Sequence, residues 1–434
     1  MNPTEKQDQQ QMNRRRFLAL SGGVVAAKAA SGVASPLGPT PREPAIDSGA
    51  LGSQIVPFHG QHQAGILTPA QNHTYLATFD ITTAKREELI DLFRRWTEAA
   101  ARMALGQPAE AISPDLSVPA GDSGDALELS PAKLTITFGF GAGLFIKEGH
   151  DRFGLASRRP AAFIDLPRFN GDQLVESQTG GDLSIQACAD DSQVAFHAVR
   201  QLARIAYGIV QPRWAQSGFI ANYGPKKTAR NLMGFKDGTG NPSVDDPKLM
   251  DQFVWAGNEG PPWMNGGSYV VFRRARIALE HWDRMNVAFQ QQAIGRQKYS
   301  GAGLANKGEF DPVDLDANDT DGNPIIPDNA HVRLGMPASN DGARILRRSY
   351  SYNDGLNFTS ERWPPWKQGM EYDAGLLFIS YQRDVRTGFV KIFDQMSKID
   401  MLNQFVTHTG GGVFACPPGV SAGRFLGQDL FAGI

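Results

Sequence analysis

Asp182-Leu-Ser-Ile-Gln-Ala-Cys-Ala189 leads through Asp190-Asp191 into a segment running from Ser192 to Tyr207. The first eight residues read as a strand, the paired aspartates as a turn, and the following segment as a helix. Almost two hundred residues later the same grammar returns. Ala374-Gly-Leu-Leu-Phe-Ile-Ser-Tyr381 is a strand, an Asp-bearing turn follows, and a helix is expected from Thr387 to Met396, with Phe393 standing where Phe196 stands in the first copy. Working outward, His73–Asp80 reads as a strand. It feeds a helix over Lys85–Met103, in which Leu89, Ile90, Leu92, Phe93 and Trp96 recur at helical spacing and Thr82 or Thr83 supplies the cap. Leu134–Gly139 is another strand. In the later half, Gly267–Arg273 is a strand followed by a helix over Leu279–Ile294. Two degenerate copies of a β-α-β…β-α-β unit imply an α+β fold of two tandem ferredoxin-like domains. We place these at residues 55–225 and 226–434.

Composition narrows the functional classes. The 434 residues carry 43 Lys+Arg against 45 Asp+Glu, a net charge of −2, which excludes a chain-wide nucleic-acid footprint. An apolar content of 41% supports sizeable packed cores. Cys188 and Cys416 are the two cysteines of the chain and have no C-x-x-C spacing, so neither a thiolate metal site nor a disulfide framework is built from them. Redox chemistry, if present, needs a cofactor held another way.

The N-terminus reads as an address. Arg14-Arg15-Arg16-Phe17-Leu18 precedes a weakly apolar stretch, Ala19 to Ala34, interrupted by Gly22, Gly23, Lys28 and Gly32. That stretch is too short and too weak to span a bilayer. Paired arginines followed by x-Phe-Leu resemble a twin-arginine export signal, assigned to residues 1–34 with small residues at Gly32 and Ala34 suiting cleavage. Pro36, Pro39, Pro41 and Pro44 mark residues 35–54 as a linker. The expected location is periplasmic, reached in the folded state.

Two clusters carry candidate chemistry. Gly234-Phe-Lys-Asp237-Gly238-Thr239-Gly240-Asn-Pro242 is the densest glycine run and holds one carboxylate; it is neither a P-loop nor G-x-G-x-x-G. From composition alone a glycine-rich loop with a surface aspartate is the better explanation. The second is His331-Val-Arg-Leu-Gly335 with Arg344-Ile-Leu-Arg347-Arg348-Ser-Tyr350. His331 differs from the other seven histidines in lying between an acidic loop and an Arg-rich strand. Aligning Gly322 with the glycine of a calcium loop puts Ala317 at the first ligand position, so the acidic run Asp311–Gly322 fails as an EF-hand.

Taken together, these strings resemble the dye-decolorizing haem peroxidases. Gly234-Phe-Lys-Asp237-Gly238 matches that family's G-x-x-D-G motif, His331 stands where its proximal haem ligand stands, and Leu346-Arg347-Arg348 where its distal arginine stands. Supporting matches are His62-Gln-Ala-Gly-Ile66, Leu134-Thr-Ile-Thr-Phe-Gly-Phe140 and Gly181-Asp-Leu-Ser-Ile-Gln-Ala-Cys-Ala-Asp190. With the N-terminal signal, the set is similar to the exported deferrochelatase/peroxidase branch. The resemblance implies a fold of the dimeric α/β-barrel type with one haem b per chain in the C-terminal half. It further implies hydrogen peroxide and a bulky organic electron donor as substrates, a twin-arginine translocase as export partner, a link to ferrous iron import, and a homodimer.

The resemblance also distributes roles. His331 would bind iron through one imidazole nitrogen while the other donates to a carboxylate, for which Asp394 on the last expected helix is the candidate. Asp237 would carry a proton between the peroxide oxygens, and Arg347 would stabilise negative charge on the departing one. Gly238, Thr239, Gly240, Met336, Pro337 and Ala338 would line the haem. Relatives often carry Arg-Leu-Ala-Asn-Pro-Arg after the histidine, whereas this chain has Arg333-Leu-Gly335-Met336-Pro337-Ala338. A propionate contact made by the missing arginine would pass to another group, with Arg333 and Arg383 the candidates. Iron release from haem with the porphyrin left intact needs the same pocket and is the alternative activity. A haem carrier without turnover is opposed by Asp237 and Arg347, which storage does not require. A chlorite dismutase-like enzyme on the related fold is opposed by the Asp237 motif. Trp363 and Trp366 receive no role in electron transfer.

Overall fold

Leu183–Ala189 is buried at all seven positions, on both faces, which an alternating surface strand never is. The computed structural model, which describes residues 54–221, 227–360 and 368–433, shows what covers it on each side. The assigned export signal, most of the linker, and Trp363 and Trp366 lie outside the described residues.

In the N-terminal half the order is β1 (His73–Ile81), α1 (Arg86–Ala104), β2 (Thr135–Phe140), β3 (Leu183–Ala189), α2 (Ser192–Ile205) and β4 (Val210–Phe219). The strands lie antiparallel in the spatial order β4-β1-β3-β2. The C-terminal half repeats this with β5 (Ser268–Ile277), α3 (Val287–Ile294), α4 (His331–Gly335), β6 (Leu346–Arg347), β7 (Tyr350–Ser360), β8 (Gln368–Gln382), α5 (Lys391–Ile399) and β9 (Val406–Cys416). Its main strands lie in the order β9-β5-β8-β7. Numbering the four main strands of each half in sequence gives 4-1-3-2 twice, the ferredoxin-like arrangement that the duplicated sequence pattern implies.

The two sheets meet at both edges. β2 pairs with β9 at Phe140 and Ala415, and β4 pairs with β7 at Phe219 and Ser351, so eight strands close into a ring to which β6 is appended along β8. Inside the ring sit Leu76, Cys188, Tyr350, Leu377, Tyr381 and Cys416, all buried. Outside the N-terminal sheet, α1 and α2 lay down Leu89, Leu92, Phe93, Trp96, Val199 and Leu202. The β3 strand is thus caught between barrel interior and helices.

Local starts and stops follow ordinary capping chemistry. Asp191 caps α2 by accepting from the backbone N–H groups of Gln193 and Val194 at 2.7 and 3.1 Å. Thr83 accepts from the Lys85 N–H at 3.0 Å and donates to Glu88, whereas Thr82 takes no part in the start of α1. The helix expected over Leu279–Ile294 is interrupted. A single turn at Leu279–Trp282 ends, and α3 restarts with Asn286 accepting from the Phe289 N–H at 2.8 Å. The helix expected over Thr387–Met396 opens with a π-turn at Arg386–Val390 and becomes regular as α5.

Candidate active site

α1 and α2 fill the outer face of the N-terminal sheet, but the corresponding face of the C-terminal sheet is not filled. A cavity of about 480 Å³ opens there, floored by Arg273, Ala275 and Ile277 of β5 and by Leu376 and Phe378 of β8. Ile392, Phe393 and Met396 of α5 form an apolar wall. The loop before β5 brings Asp237, Gly238, Thr239 and Gly240, α4 brings His331, and β6 brings Arg347. Both sequence clusters therefore converge on one space.

His331 is the first residue of α4. Its Nδ1 lies 2.7 Å from Asp400 Oδ2, and the side chain is 37% accessible because the ring faces the cavity. Asp400 is buried, and its other oxygen accepts from the Leu402 N–H at 2.8 Å, capping the turn Met401–Gln404. An acceptor-only carboxylate so fixed assigns the proton to Nδ1 and leaves Nε2 as the free lone pair. Burial alone would depress the imidazole pKa; the Asp400 charge more than offsets this and holds it above its ordinary value.

Asp394 does not serve here. It lies on the solvent side of α5, half-exposed, and pairs with Lys398 at 2.7 Å, one helical turn on. Ile392, Phe393 and Met396 define the face of α5 that meets the cavity, and position 394 is turned away from it. The histidine's partner comes from the chain reversal just past the helix end, where Asp400-Met-Leu402 carries the Asp-first pattern of a capped turn. That pattern is the signal that reading along the helix missed.

Across the cavity, Arg347 Nη1 lies 3.4 Å from Asp237 Oδ1. Asn241 holds the arginine from both sides of its backbone: its Nδ2 donates to the Arg347 carbonyl at 2.8 Å and its Oδ1 accepts the Arg347 N–H at 3.1 Å. Asn231 Nδ2 reaches Asp237 Oδ2 at 3.3 Å, and the Asp237 N–H donates to the Ala229 carbonyl at 2.9 Å. Gly238 has φ +117°, a conformation that side chains with a Cβ rarely adopt, so this turn can present Asp237 only with glycine next to it. Thr239 donates to Glu309 at 3.1 Å, which also takes the Lys236 ammonium.

Met336 and Pro337 line the cavity; Ala338, expected beside them, does not. Neither arginine suggested for the propionates reaches it. Arg333 donates to the carbonyls of Leu315 and Ile326 at 2.6 and 2.7 Å, clamping the acidic loop, and Arg383 forms a two-bond pair with Glu259. Sequence reasoning also missed Asn241, whose place one residue past Gly240 gave it no chemical signature. It missed Arg273 as well, which reads as an ordinary strand residue.

The N-terminal half closes one end of this site. Asp172 pairs with Arg273, Phe169 packs edge-on against Phe393 with centroids 4.7 Å apart, and the Gln173 and Val175 N–H groups donate to the carbonyls of His408 and Thr409.

A carboxylate–imidazole pair and a carboxylate–guanidinium pair thus line one cavity with partly apolar walls, an arrangement suited to a flat cofactor. Profiles of the Dyp-type peroxidase N-terminal and C-terminal domains match residues 63–220 and 228–421. The chain is 36% identical to a dye-decolorizing peroxidase of Thermobifida fusca over 97% of both chains. It is also 36% identical to a deferrochelatase of Yersinia pseudotuberculosis, covering 87% of this chain and 85% of that one. Among solved structures, a DyP-type peroxidase from Streptomyces coelicolor superposes with a TM-score of 0.79 at 39% identity, covering 90% of this chain and 100% of that one. Ferric DtpA from Streptomyces lividans gives 0.79 at 38% identity, covering 89% and 99%. The chain belongs to the Dyp-type peroxidase family.

Proposed function

We propose that the protein is a haem b-dependent peroxidase that uses hydrogen peroxide to oxidise bulky organic electron donors. The observation that carries this is the opposition of His331–Asp400 to Asp237–Arg347 across one cavity. The lining fits haem: apolar walls suit a flat macrocycle, and the His331 imidazole, with its Nδ1 proton committed to a carboxylate, has its Nε2 lone pair free for iron. When bound, haem supplies the redox chemistry that divides the peroxide oxygens.

The chain's own residues do the rest. Asp400 orients His331 and, by accepting the hydrogen bond from its Nδ1–H, makes the ring a stronger donor to iron. Asp237 accepts the proton of an incoming peroxide and delivers it to the oxygen that leaves as water. Arg347, permanently charged and held in place by Asn241, stabilises negative charge accumulating on that oxygen. The partly apolar walls limit competing water and strengthen both electrostatic contacts.

The test is peroxide-dependent oxidation of an anthraquinone dye by haem-loaded wild type and the His331→Ala variant. Turnover abolished by the substitution supports the reading; turnover unchanged sinks it. Release of iron from haem with the porphyrin intact is a second reading, favoured by the deferrochelatases among the relatives. Recovery of metal-free porphyrin as a stoichiometric product would establish it. We further propose export to the periplasm by the twin-arginine route on the strength of Arg14-Arg15-Arg16-Phe17-Leu18, a functional link to ferrous iron import, and a homodimer. A reporter fused to residues 1–34 and a light-scattering mass test the first and last of these.

A further inference from the structure

Five cations line the cavity: Lys236, Arg273, Arg296, Arg344 and Arg347. Four are engaged. Lys236 pairs with Glu309, Arg273 with Asp172 and Arg347 with Asp237, while Arg296 donates to the carbonyls of Gly301 and Glu309. Arg344 makes no hydrogen bond or ion pair with any of the described residues; its guanidinium lies 6.0 Å from the centre of the Phe253 ring. It is half-buried, between Ala343 and Ile345, which line the same space.

Among the described residues no anion meets this half-buried guanidinium, the partner that such a group ordinarily has. Phe253 supports its flat face but offers nothing to its N–H groups. The remaining donors form a planar fork whose natural complement is a carboxylate. We infer that Arg344 anchors a carboxylate of the bound cofactor, that is, one of the two propionates of haem. This rests on the haem reading above and goes beyond it by assigning the recognition of the cofactor's polar edge to a residue that neither binds iron nor faces peroxide. It also accounts for a chain with Ala338 outside the cavity and with Arg333 and Arg383 committed elsewhere.

The experiment titrates the apoprotein with haemin and, separately, with haemin dimethyl ester, following the absorbance band of the bound form. Wild type, Arg344→Ala, Arg344→Lys and His331→Ala are compared. A single charge-assisted contact corresponds to a preference of about tenfold or more for the free acid. Arg344→Ala should lose that preference while binding the ester within about twofold of wild type, and Arg344→Lys should keep part of it. The ester arm separates lost recognition from lost packing or folding. Equal weakening toward both ligands, or an undiminished preference in Arg344→Ala, overturns the assignment while leaving the haem reading intact. Binding of neither ligand in a His331-dependent manner overturns both.

Discussion

The two halves have the same strand order and opposite fates for the outer face of the sheet. In the N-terminal half, α1 and α2 press Leu89, Leu92, Phe93, Trp96 and Leu202 onto the strands, where all five are buried. In the C-terminal half the short α4 and the delayed α5 stand off, leaving about 480 Å³ above β5 and β8. The difference lies in the crossovers. A continuous α1 of 19 residues covers its sheet, whereas the first crossover of the second half breaks at Asn286 and then spends its length on loops that carry Glu309, the partner of Lys236 and Thr239, and lead to His331. One copy of the unit builds the core and the other withholds packing to hold a ligand.

Substitutions at the two ends of this contrast should separate chemistry from stability. The largest effect belongs to the distal pair. Arg347→Leu should slow the reaction of the haem-loaded protein with peroxide by about a thousandfold. Asp237→Asn should slow it by between about tenfold and a hundredfold, since water carries part of the proton traffic. Stopped-flow absorbance measures both, and the reverse order would overturn the assignment of charge stabilisation to the arginine.

Packing comes next. Trp96 is 2% exposed and donates to the Leu202 carbonyl at 2.8 Å, so Trp96→Ala should cost about 3–5 kcal/mol in chemical denaturation. Leu376→Ala, on the cavity floor, should cost about 1 kcal/mol or less in the apoprotein, because one side of that leucine already faces open space. Equal costs would mean that the cavity is not a packing deficit.

Within the site, Asp400→Asn should weaken haem binding by about ten- to a hundredfold, and Asp394→Asn should leave it within about twofold. A haem titration that ranked them the other way would restore the helical aspartate.

The smallest effect is confined to the N-terminal half. Although partial burial opposes it, hydrogen bonds from Ser123 and His197 lower the Asp125 pKa to about 2. Its unfolded value is about 3.9. A carboxylate with a lowered folded pKa contributes its full stability above the unfolded value and loses it as pH falls toward 2. Between pH 5 and pH 3 the denaturation midpoint of wild type should therefore fall further than that of Asp125→Asn; parallel curves would remove Asp125 from the acid response.

The duplicated unit was legible because β3 and β8 each set strand-forming apolar residues before an Asp-bearing turn and a helix. β4, β7 and β9 were not. β4 alternates buried and exposed residues but follows α2 after a gap of four residues, and β7 is bent by a register shift between Asn353 and Leu356. β9 contains Gly410-Gly411-Gly412, a composition that argues against a strand. The structure explains it: a Cβ at Gly411 would lie 2.1 Å from the Phe272 carbonyl oxygen, so the close approach of β9 to β5 demands glycine. The residues that a distinctive local string singled out, Asp237, His331 and Arg347, all line the one cavity. Asp400 and Asn241 act through contacts distant in sequence, such as the separation of 69 positions from His331 to Asp400, and no local pattern reports those.

The closed ring sets the order in which the molecule can be completed. β9 follows every other described strand in the chain, yet it lies between β5 and β2. Until β9 is made, both of those strands present a bare edge, the kind of edge that templates pairing with other chains. A chain stopped short of Val406 would keep them bare, so the arrival of β9 is what turns an aggregation-prone nascent chain into a closed ring of strands.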